Sequence, residues 1–175
     1  ITPIGFDAFD SERITKTEIA AHRRALEISR FLKKYMPGFE ESYITATGVQ
    51  TMPRHIRMIE AEYSLTSETL ERTKEFVDSV HMADFGLPGP AFQVPYRIMV
   101  PKRIDNLLVA GKCVDGARLV RDIPVVMAMG QAAGTAAALS TRHDVSPRQL
   151  NVTALQRVLK EQQVILDISA AIERT

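Results

Sequence analysis

Several kinds of residue and motif are scarce in this chain of 175 residues. Cysteine occurs once, at Cys113, which excludes an internal disulfide framework and is typical of a reducing compartment. Neither sign of charge is in excess, because 22 Lys and Arg stand against 21 Asp and Glu. A formal net charge of +1 supplies no broad field for nucleic acid or an anionic membrane. We therefore expect neither as a partner, and expect a cytoplasmic location.

A secretory signal is also missing from the start of the sequence. ITPIGFDAFD has no basic region and no long apolar core. The chain begins without Met, which fits a mature protein and equally a piece cut from a longer one. No G-x-G-x-x-G nucleotide fingerprint occurs anywhere in it.

One long segment, residues 123–140, is almost free of charge. Its small residues Gly130, Gly134 and Ala138 have the spacing of some transmembrane helix pairs. The modest hydrophobicity of Ala and Gly, together with the interior Gln131, favours instead a helix buried in a soluble core.

The remaining sequence alternates between helical and strand patterns. Residues 15–36 predict an amphipathic helix, with Thr15 as its cap and Glu18 closing a capping box. Strand signals follow, because β-branched and aromatic residues recur in short runs. We predict two strands within 43–65, a short helix over 66–76, strands over 77–86 and 92–101 around a turn at 86–90, a buried parallel-type strand at 107–111, and helices over 123–141 and 152–162. Pro95 makes the 92–101 strand an edge strand or a bulged one.

The stretch LLVAGKCVDG is the most informative short motif. A strand that ends in Gly111 and leads to a helix leaves free backbone N–H groups and the positive end of a helix dipole, which together receive negative charge. Close packing of the helix explains such a glycine equally well, so this local pattern alone leaves both interpretations open.

A longer string favours one of them. VPYRIMVPKRIDNLLVAGKCVDGARLVRDIPVVMAMGQAAGTAAAL strongly resembles the C-terminal flavin-binding region of a family of FAD-dependent oxidoreductases. The resemblance is continuous from about Pro95 to Leu139, and extends more loosely to residues 53–66 and through SPRQLNVTALQRVLKEQ. Its most specific pieces are PYRIMVPK, NLLVAGKC, the Arg121 to Pro124 spacing and MGQAAGTAAAL.

The resemblance implies that this chain is the C-terminal portion of a larger flavoenzyme whose nucleotide fingerprint lies earlier. The missing N-terminal part of the same polypeptide would then be its partner, and a small molecule its substrate. We expect an α+β fold with a mostly antiparallel sheet, flanking helices, and the closing strand and helix of an FAD-binding Rossmann-like domain. Residues 1–100 would form a substrate or cap segment, 101–145 the end of the FAD domain, and 146–175 a C-terminal helix and tail.

The resemblance also implies a set of cofactor contacts. Many flavoproteins have an acidic residue after the glycine, whereas this chain has Lys112, so either Asp115 or a main-chain carbonyl is the candidate substitute for the ribityl contact. The start of the following helix would face the isoalloxazine, where reduced flavin gains negative charge. The implied cofactor-binding residues are Gly111, Lys112, Asp115, Ile123, Pro124, Val125 and Val126.

Substrate contacts are assigned by position within the family segments. The candidates are Arg54, Arg57, Tyr96 and Arg97, since an arginine can clamp an anion or polarise a carbonyl. The alternative is structural, with an arginine paired to Glu60 or Glu62 and a packed tyrosine. The four histidines are scattered without ligand spacing, so no metal site is expected.

Two hypotheses about function follow. The first is an FAD-dependent oxidoreductase that moves a hydride between an organic substrate and flavin, with this chain alone inactive and free of tightly bound FAD. The second is a non-catalytic interaction or oligomerisation module, in which the helices at 123–140 and 152–162 supply a partner face and the fragment self-associates.

Overall fold

The computed structural model describes residues 9–50, 57–66, 75–83, 91–116 and 120–167. The chain divides into two compact units, Ile1–Ile56 and Arg57–Thr175. The described elements combine helices with a small antiparallel sheet, so the fold class is α+β, as predicted. In chain order they are α1 (Ser11–Tyr35), β1 (Ser79–Ala83), β2 (Phe92–Pro95), a 3-10 helix (Tyr96–Met99), α2 (Ile123–His143), a second 3-10 helix (Pro147–Gln149) and α3 (Val152–Glu161).

Helix α1 starts earlier than the sequence predicts. The carboxylate of Asp10 accepts hydrogen bonds from the N–H groups of Glu12 (2.9 Å) and Arg13 (3.2 Å) and therefore caps the helix. Thr15, the predicted cap, lies inside the helix and donates to the carbonyl of Ser11 at 2.8 Å. The predicted start was wrong because Asp caps a helix at least as well as Thr and suits the positive N-terminal dipole.

No residue of α1 is fully buried, although its sequence is amphipathic. Large apolar side chains along it remain exposed, among them Ile19, Leu26 and Phe31. Within this first unit, the segment after the helix returns toward it, since a ring nitrogen of His22 lies 3.4 Å from the carbonyl oxygen of Gly48.

The second unit is organised around the antiparallel pair of β1 and β2. Ser79 stands opposite Pro95 and His81 opposite Val94, with a register irregularity between Ser79 and His81. Because proline lacks an N–H donor, it suits the end of a ladder beside a bulge. The prediction for Pro95 is confirmed.

Three predicted strands do not form in the described residues, two within 43–65 and one at 107–111, and the strand predicted over 92–101 ends at Pro95, where a 3-10 helix begins. Within the described residues, 43–50 and 57–65 form no ladder, and the second segment makes one isolated antiparallel bridge, Ala61 to Pro101. Residues 107–110 are extended but are not a strand: Val109 N–H bonds the carbonyl of Met99 at 2.9 Å, and Leu107 is 39% exposed. An apolar run forms a buried parallel strand only where other strands flank it, and none does in the described part of the chain. The helix predicted from 66 to 76 and the turn at 86–90 fall almost wholly outside the described residues.

The bounds of helices α2 and α3 agree closely with the predicted ones, and both helices pack against the sheet. Each packs one apolar face onto a core shared with β1 and β2, while its other face stays exposed. The buried helical side chains are Val125, Met129, Ala132, Ala136 and Ser140 of α2, and Leu155 and Leu159 of α3.

By length and composition alone, α2 would suffice to cross a membrane, with a mean hydropathy of 1.3 over its best window. Core helices of soluble proteins meet the same criterion, so this is weak evidence. The face that packs on β1 and α3 agrees with the core helix that the sequence predicts.

Buried polar side chains fix the segment after α3 to the sheet. Gln93 accepts from the N–H of Phe76 (2.5 Å) and donates to the carbonyl of Leu166 (3.0 Å), which also receives the hydroxyl of Ser79 (2.8 Å). From α3, Gln156 donates to the carbonyl of Ser79 at 3.0 Å. Because each of these three side chains, Gln93, Ser79 and Gln156, has a hydrogen-bond partner, the contacts specify one arrangement of this part of the core.

His81 gives the core a pH dependence. Its side chain is 1% exposed, Nδ1 lies 3.0 Å from the carbonyl of Met82, and Nε2 has no partner among the described residues. Burial lowers the pKa of His81, and this outweighs the opposing effect of the Met82 carbonyl. The unfolded chain therefore binds a proton near pH 6.5 while the folded chain stays neutral, so stability is lost as pH falls through that value.

We expect the free energy of unfolding to fall between pH 7 and pH 5.5 by up to about 1.4 kcal/mol per pH unit. Urea titrations at several pH values measure it. The His81→Gln variant should lose most of this slope, whereas His143→Gln, which changes an exposed histidine at the end of α2, should keep it. An unchanged slope in His81→Gln would assign the pH dependence to other groups.

Candidate functional site

The Gly111 turn lies against α2. Gly111 has φ of +87°, and a Cβ built there would meet no atom within 4 Å. Its N–H points to the sulfur of Met129 at 3.2 Å, and its carbonyl accepts from Val114 N–H at 3.3 Å. Because Met129 is fully buried in the core, this contact holds the Gly111 turn against α2. The side of Gly111 where a Cβ would stand is open.

The N-terminus of α2 has amides that no described residue pairs with. Asp122 occupies the cap position but makes no side-chain capping hydrogen bond, and its carbonyl receives the first helical bond, from Val126 N–H at 2.9 Å. Pro124 has no N–H to donate. No described residue accepts from the N–H of Ile123 or Val125. The positive end of the helix dipole is therefore not neutralised by the described part of this chain.

Exposed cations and apolar side chains adjoin these amides in sequence. Lys112 follows the turn glycine and Arg121 precedes the helix; both are exposed, and neither has an acidic partner among the described residues. Ile123 is 73% and Met127 68% exposed on the first turns of α2. An uncapped helix start with cations and apolar surface is chemically suited to a ligand that is anionic at one part and flat and apolar at another.

Asp115 is engaged within the protein. One carboxylate oxygen accepts from the hydroxyl of Ser64 (2.7 Å) and the other from the N–H of Ala61 (3.3 Å). Its carbonyl accepts from Leu65 N–H at 3.4 Å. The residue therefore ties the turn after Gly111 to the segment at 57–66.

Tyr96 and Arg97 make structural contacts. The hydroxyl of Tyr96 is buried and donates to the carbonyl of Pro147 at 2.9 Å, and burial raises the pKa of Tyr96 above its ordinary range. Arg97 forms a two-pronged ion pair with the buried Asp78, Nε to Oδ2 at 2.9 Å and an Nη atom to Oδ1 at 3.2 Å. The hydrogen bond to Asp78 raises the pKa of Arg97 further.

Arg97 also lies over an aromatic ring. Its guanidinium carbon is 5.1 Å from the ring centre of Tyr63, which meets Phe76 edge-on at 5.4 Å. These contacts orient Arg97 within the protein, and its side chain is still partly exposed. A direct role of Tyr96 or Arg97 toward a substrate stays a prediction. Arg57 is exposed at the start of its segment, and Arg54 lies outside the described residues.

The predicted ion-pair alternative involved Glu60 and Glu62, and both do form ion pairs, with other partners. Glu60 lies 3.6 Å from Lys102 and 3.2 Å from Arg103, while Glu62 pairs with Arg148.

Arg148 is a contact centre that sequence reasoning missed. It donates to Asp105 (3.1 Å) and to the carbonyls of Pro101 (2.5 Å) and Lys102 (3.1 Å), in addition to its pair with Glu62. Nothing in SPRQL distinguishes this arginine from a solvated one, because its partners lie more than forty residues earlier in the chain.

Comparison with known proteins adds the family. A family model described as FAD dependent oxidoreductase matches residues 2–159. No curated protein and no solved structure gives a significant match. The match covers most of the chain and includes the Gly111 turn, the start of α2 and most of α3. This chain therefore belongs to the FAD-dependent oxidoreductase family.

Proposed function

We propose that this chain supplies the C-terminal half of an FAD site in an enzyme that transfers a hydride between an organic substrate and flavin. The carrying observation is the start of α2, where Ile123 and Val125 have amides without acceptors in the described residues. Family membership supports the cofactor, and the absence of a G-x-G-x-x-G fingerprint supports a missing partner segment that holds the ADP part.

Flavin, when bound, supplies the hydride-accepting chemistry. The chain's own contribution would be electrostatic: the amides of Ile123 and Val125 would offer positive dipoles to a flavin that becomes negative on reduction. Backbone amides serve this purpose without reorganisation, because the helix fixes their direction. The exposed apolar side chain of Ile123 would pack on the flat ring and exclude water from it.

Lys112 and Gly111 serve the phosphate and ribityl part. The open outer side of Gly111, where a Cβ would meet nothing, lets a ligand approach the main chain. The exposed ammonium of Lys112 can reach a phosphate, which it would bind as a point charge. A Rossmann-like closing of the domain would take its neighbouring strands from the missing segment.

On the substrate side, Arg57 and the partly exposed Arg97 are the candidate contacts for an anionic or carbonyl substrate. Arg97 is held by Asp78 and Tyr63, so it offers a pre-oriented cation at low entropic cost. The substrate class that this favours is a small organic acid or a carbonyl compound.

The experiment compares two polypeptides, the chain alone and the chain extended through its upstream reading frame. We expect the extended protein to purify with stoichiometric FAD, seen as the flavin absorbance spectrum, and the chain alone to be colourless. A colourless extended protein that also ignores added FAD would overturn the proposed function. A chain that is yellow by itself would show that the site needs no missing segment.

A second candidate function rests on a different surface. The uncovered apolar side chains of α1, among them Ile19, Leu26 and Phe31, favour association of the isolated chain with itself. Sedimentation velocity over a concentration series tests this. If the extended protein also self-associates through these residues while binding no flavin, an interaction module becomes the better account.

A further inference from the structure

The extended segment 59–65, here called the brace, bonds to the chain on both sides of the Gly111 turn. On one edge, Glu62 N–H donates to the carbonyl of Val100 and Lys102 N–H donates to the carbonyl of Glu60, both at 2.9 Å. These bonds flank the bridge between Ala61 and Pro101. They hold the backbone that leads into the turn.

The other edge of the brace holds the backbone that leaves the turn. Ile59 N–H donates to the carbonyl of Cys113 at 2.9 Å, and Leu65 N–H to that of Asp115 at 3.4 Å. Between these bonds, the Asp115 carboxylate receives Ala61 N–H and the Ser64 hydroxyl. Backbone groups of the brace thus alternate between the two flanks, as they do in a central strand.

Two further contacts hold this arrangement together. Gly116 packs so closely on Leu65 that a Cβ there would lie 2.6 Å from the Leu65 Cβ. Glu62 pairs with Arg148, which also binds the carbonyls of Pro101 and Lys102. The brace therefore sets the separation of the two flanks, and with it the geometry of the turn between them.

We propose that the brace is the positioning element of the cofactor turn, and that Asp115 is a positioning residue that acts through Ser64 and Ala61 rather than a ligand of the ribityl chain. This inference rests on the proposed function for its cofactor. It accounts for an acidic residue four positions after Gly111 whose two oxygens are both used inside the protein.

The test is a double-mutant cycle in the extended protein, with Ser64→Ala, Asp115→Ala and the combined variant. Ser42→Ala is the matched control, because among the described residues its hydroxyl bonds only the nearby carbonyl of Phe39, in the first unit. Three quantities are measured: the Kd for added FAD, the visible circular dichroism of bound flavin, and amide hydrogen exchange of residues 111–116 without flavin.

If Asp115 positions the turn, Ser64→Ala and Asp115→Ala each raise the Kd about tenfold, and the combined variant is little worse than either. Exchange at residues 111–116 also quickens in Ser64→Ala without flavin, and the circular dichroism of the bound ring changes. The control leaves all three unchanged. Because Ser64 is exposed, its variant tests the idea even where Asp115→Ala fails to fold.

The proposal is overturned if Ser64→Ala behaves like the control while Asp115→Ala alone weakens FAD binding, which would make Asp115 a direct ligand. If the wild-type protein binds no FAD, the proposed function fails. The hydrogen-exchange measurement alone then shows whether the brace positions residues 111–116. Unchanged exchange in both Ser64→Ala and Asp115→Ala would contradict it.

Discussion

Replacing Ile123 by Asp should stabilise the protein yet weaken the binding of reduced flavin. A carboxylate in the first turn complements the helix dipole and should raise the free energy of unfolding by about 0.3 to 1 kcal/mol. The same charge opposes the negative charge that reduced flavin would place near this terminus. The midpoint potential of the bound two-electron couple should fall by about 20 to 40 mV, which corresponds to about 1 to 2 kcal/mol of repulsion.

Opposite signs for stability and potential make this prediction specific. Ile123 is 73% exposed, so little packing is lost. Ile123→Asn controls for shape, and Met127→Asp places the charge one turn further along the same helix, beyond the reach of the uncapped amides. Equal potentials in the wild type and Ile123→Asp, measured by spectroelectrochemistry, would show that the flavin does not lie at this helix start.

Gly116→Ala should cost about 2 to 5 kcal/mol of unfolding free energy, the largest stability effect that we expect from one added methyl group. Gly116 has φ of +114°, which strains any other residue. The new Cβ would also lie 2.6 Å from Leu65 Cβ and 2.9 Å from its carbonyl oxygen. Backbone cannot yield as a flexible side chain would, so the brace and the turn must separate.

Gly111→Ala is the matched control for that strain. It also has a positive φ, +87°, but open space where the Cβ would stand, so it should cost only about 1 to 2 kcal/mol. Chemical denaturation of both variants gives the loss of unfolding free energy in each. The difference between the two losses measures the cost of the close approach of Gly116 to Leu65. Equal losses at the two positions would mean that the Gly116 contact has no energetic importance.

The elements that the sequence predicted well are those whose pattern is complete within one segment. Helices α2 and α3 have Pro124 in a first turn, apolar residues at helical spacing and short polar ends, so their bounds follow from local rules. The pairing of β1 and β2 also follows from neighbouring alternating segments. The cap of α1 was misplaced, because Asp10 and Thr15 are both good caps and the better one precedes the apolar stripe.

The strand predicted for 107–111 failed for a different reason. Its wholly apolar composition is typical of a strand buried between two other strands. Those neighbouring strands come from distant parts of a chain, so the segment itself does not show whether they are present. The brace was predicted as part of a strand run, but its partners, Val100 and Cys113, are about forty to fifty residues away in sequence. Long-range pairings of this kind have no local signal.

The candidate site also combines features that the sequence predicts with contacts that only the structure shows. The Gly111 turn and the uncapped start of α2 were predicted from local pattern and family resemblance. The internal engagement of Asp115, the pairing of Arg97 with Asp78 and the four-way contacts of Arg148 depend on side chains that meet only in three dimensions. Two of these residues carried functional predictions because their residue types suit both a ligand and a structural partner.

The most direct test of the account is the amide NMR spectrum of the extended protein, labelled with nitrogen-15 at isoleucine and valine, during titration with FAD. Ile123 and Val125 have no acceptor among the described residues, so their amide signals should move further than those of Ile98 and Val94 in the core. Reduction of the bound flavin should move them again. Amide signals of Ile123 and Val125 that stay in place while FAD binds would contradict the central claim.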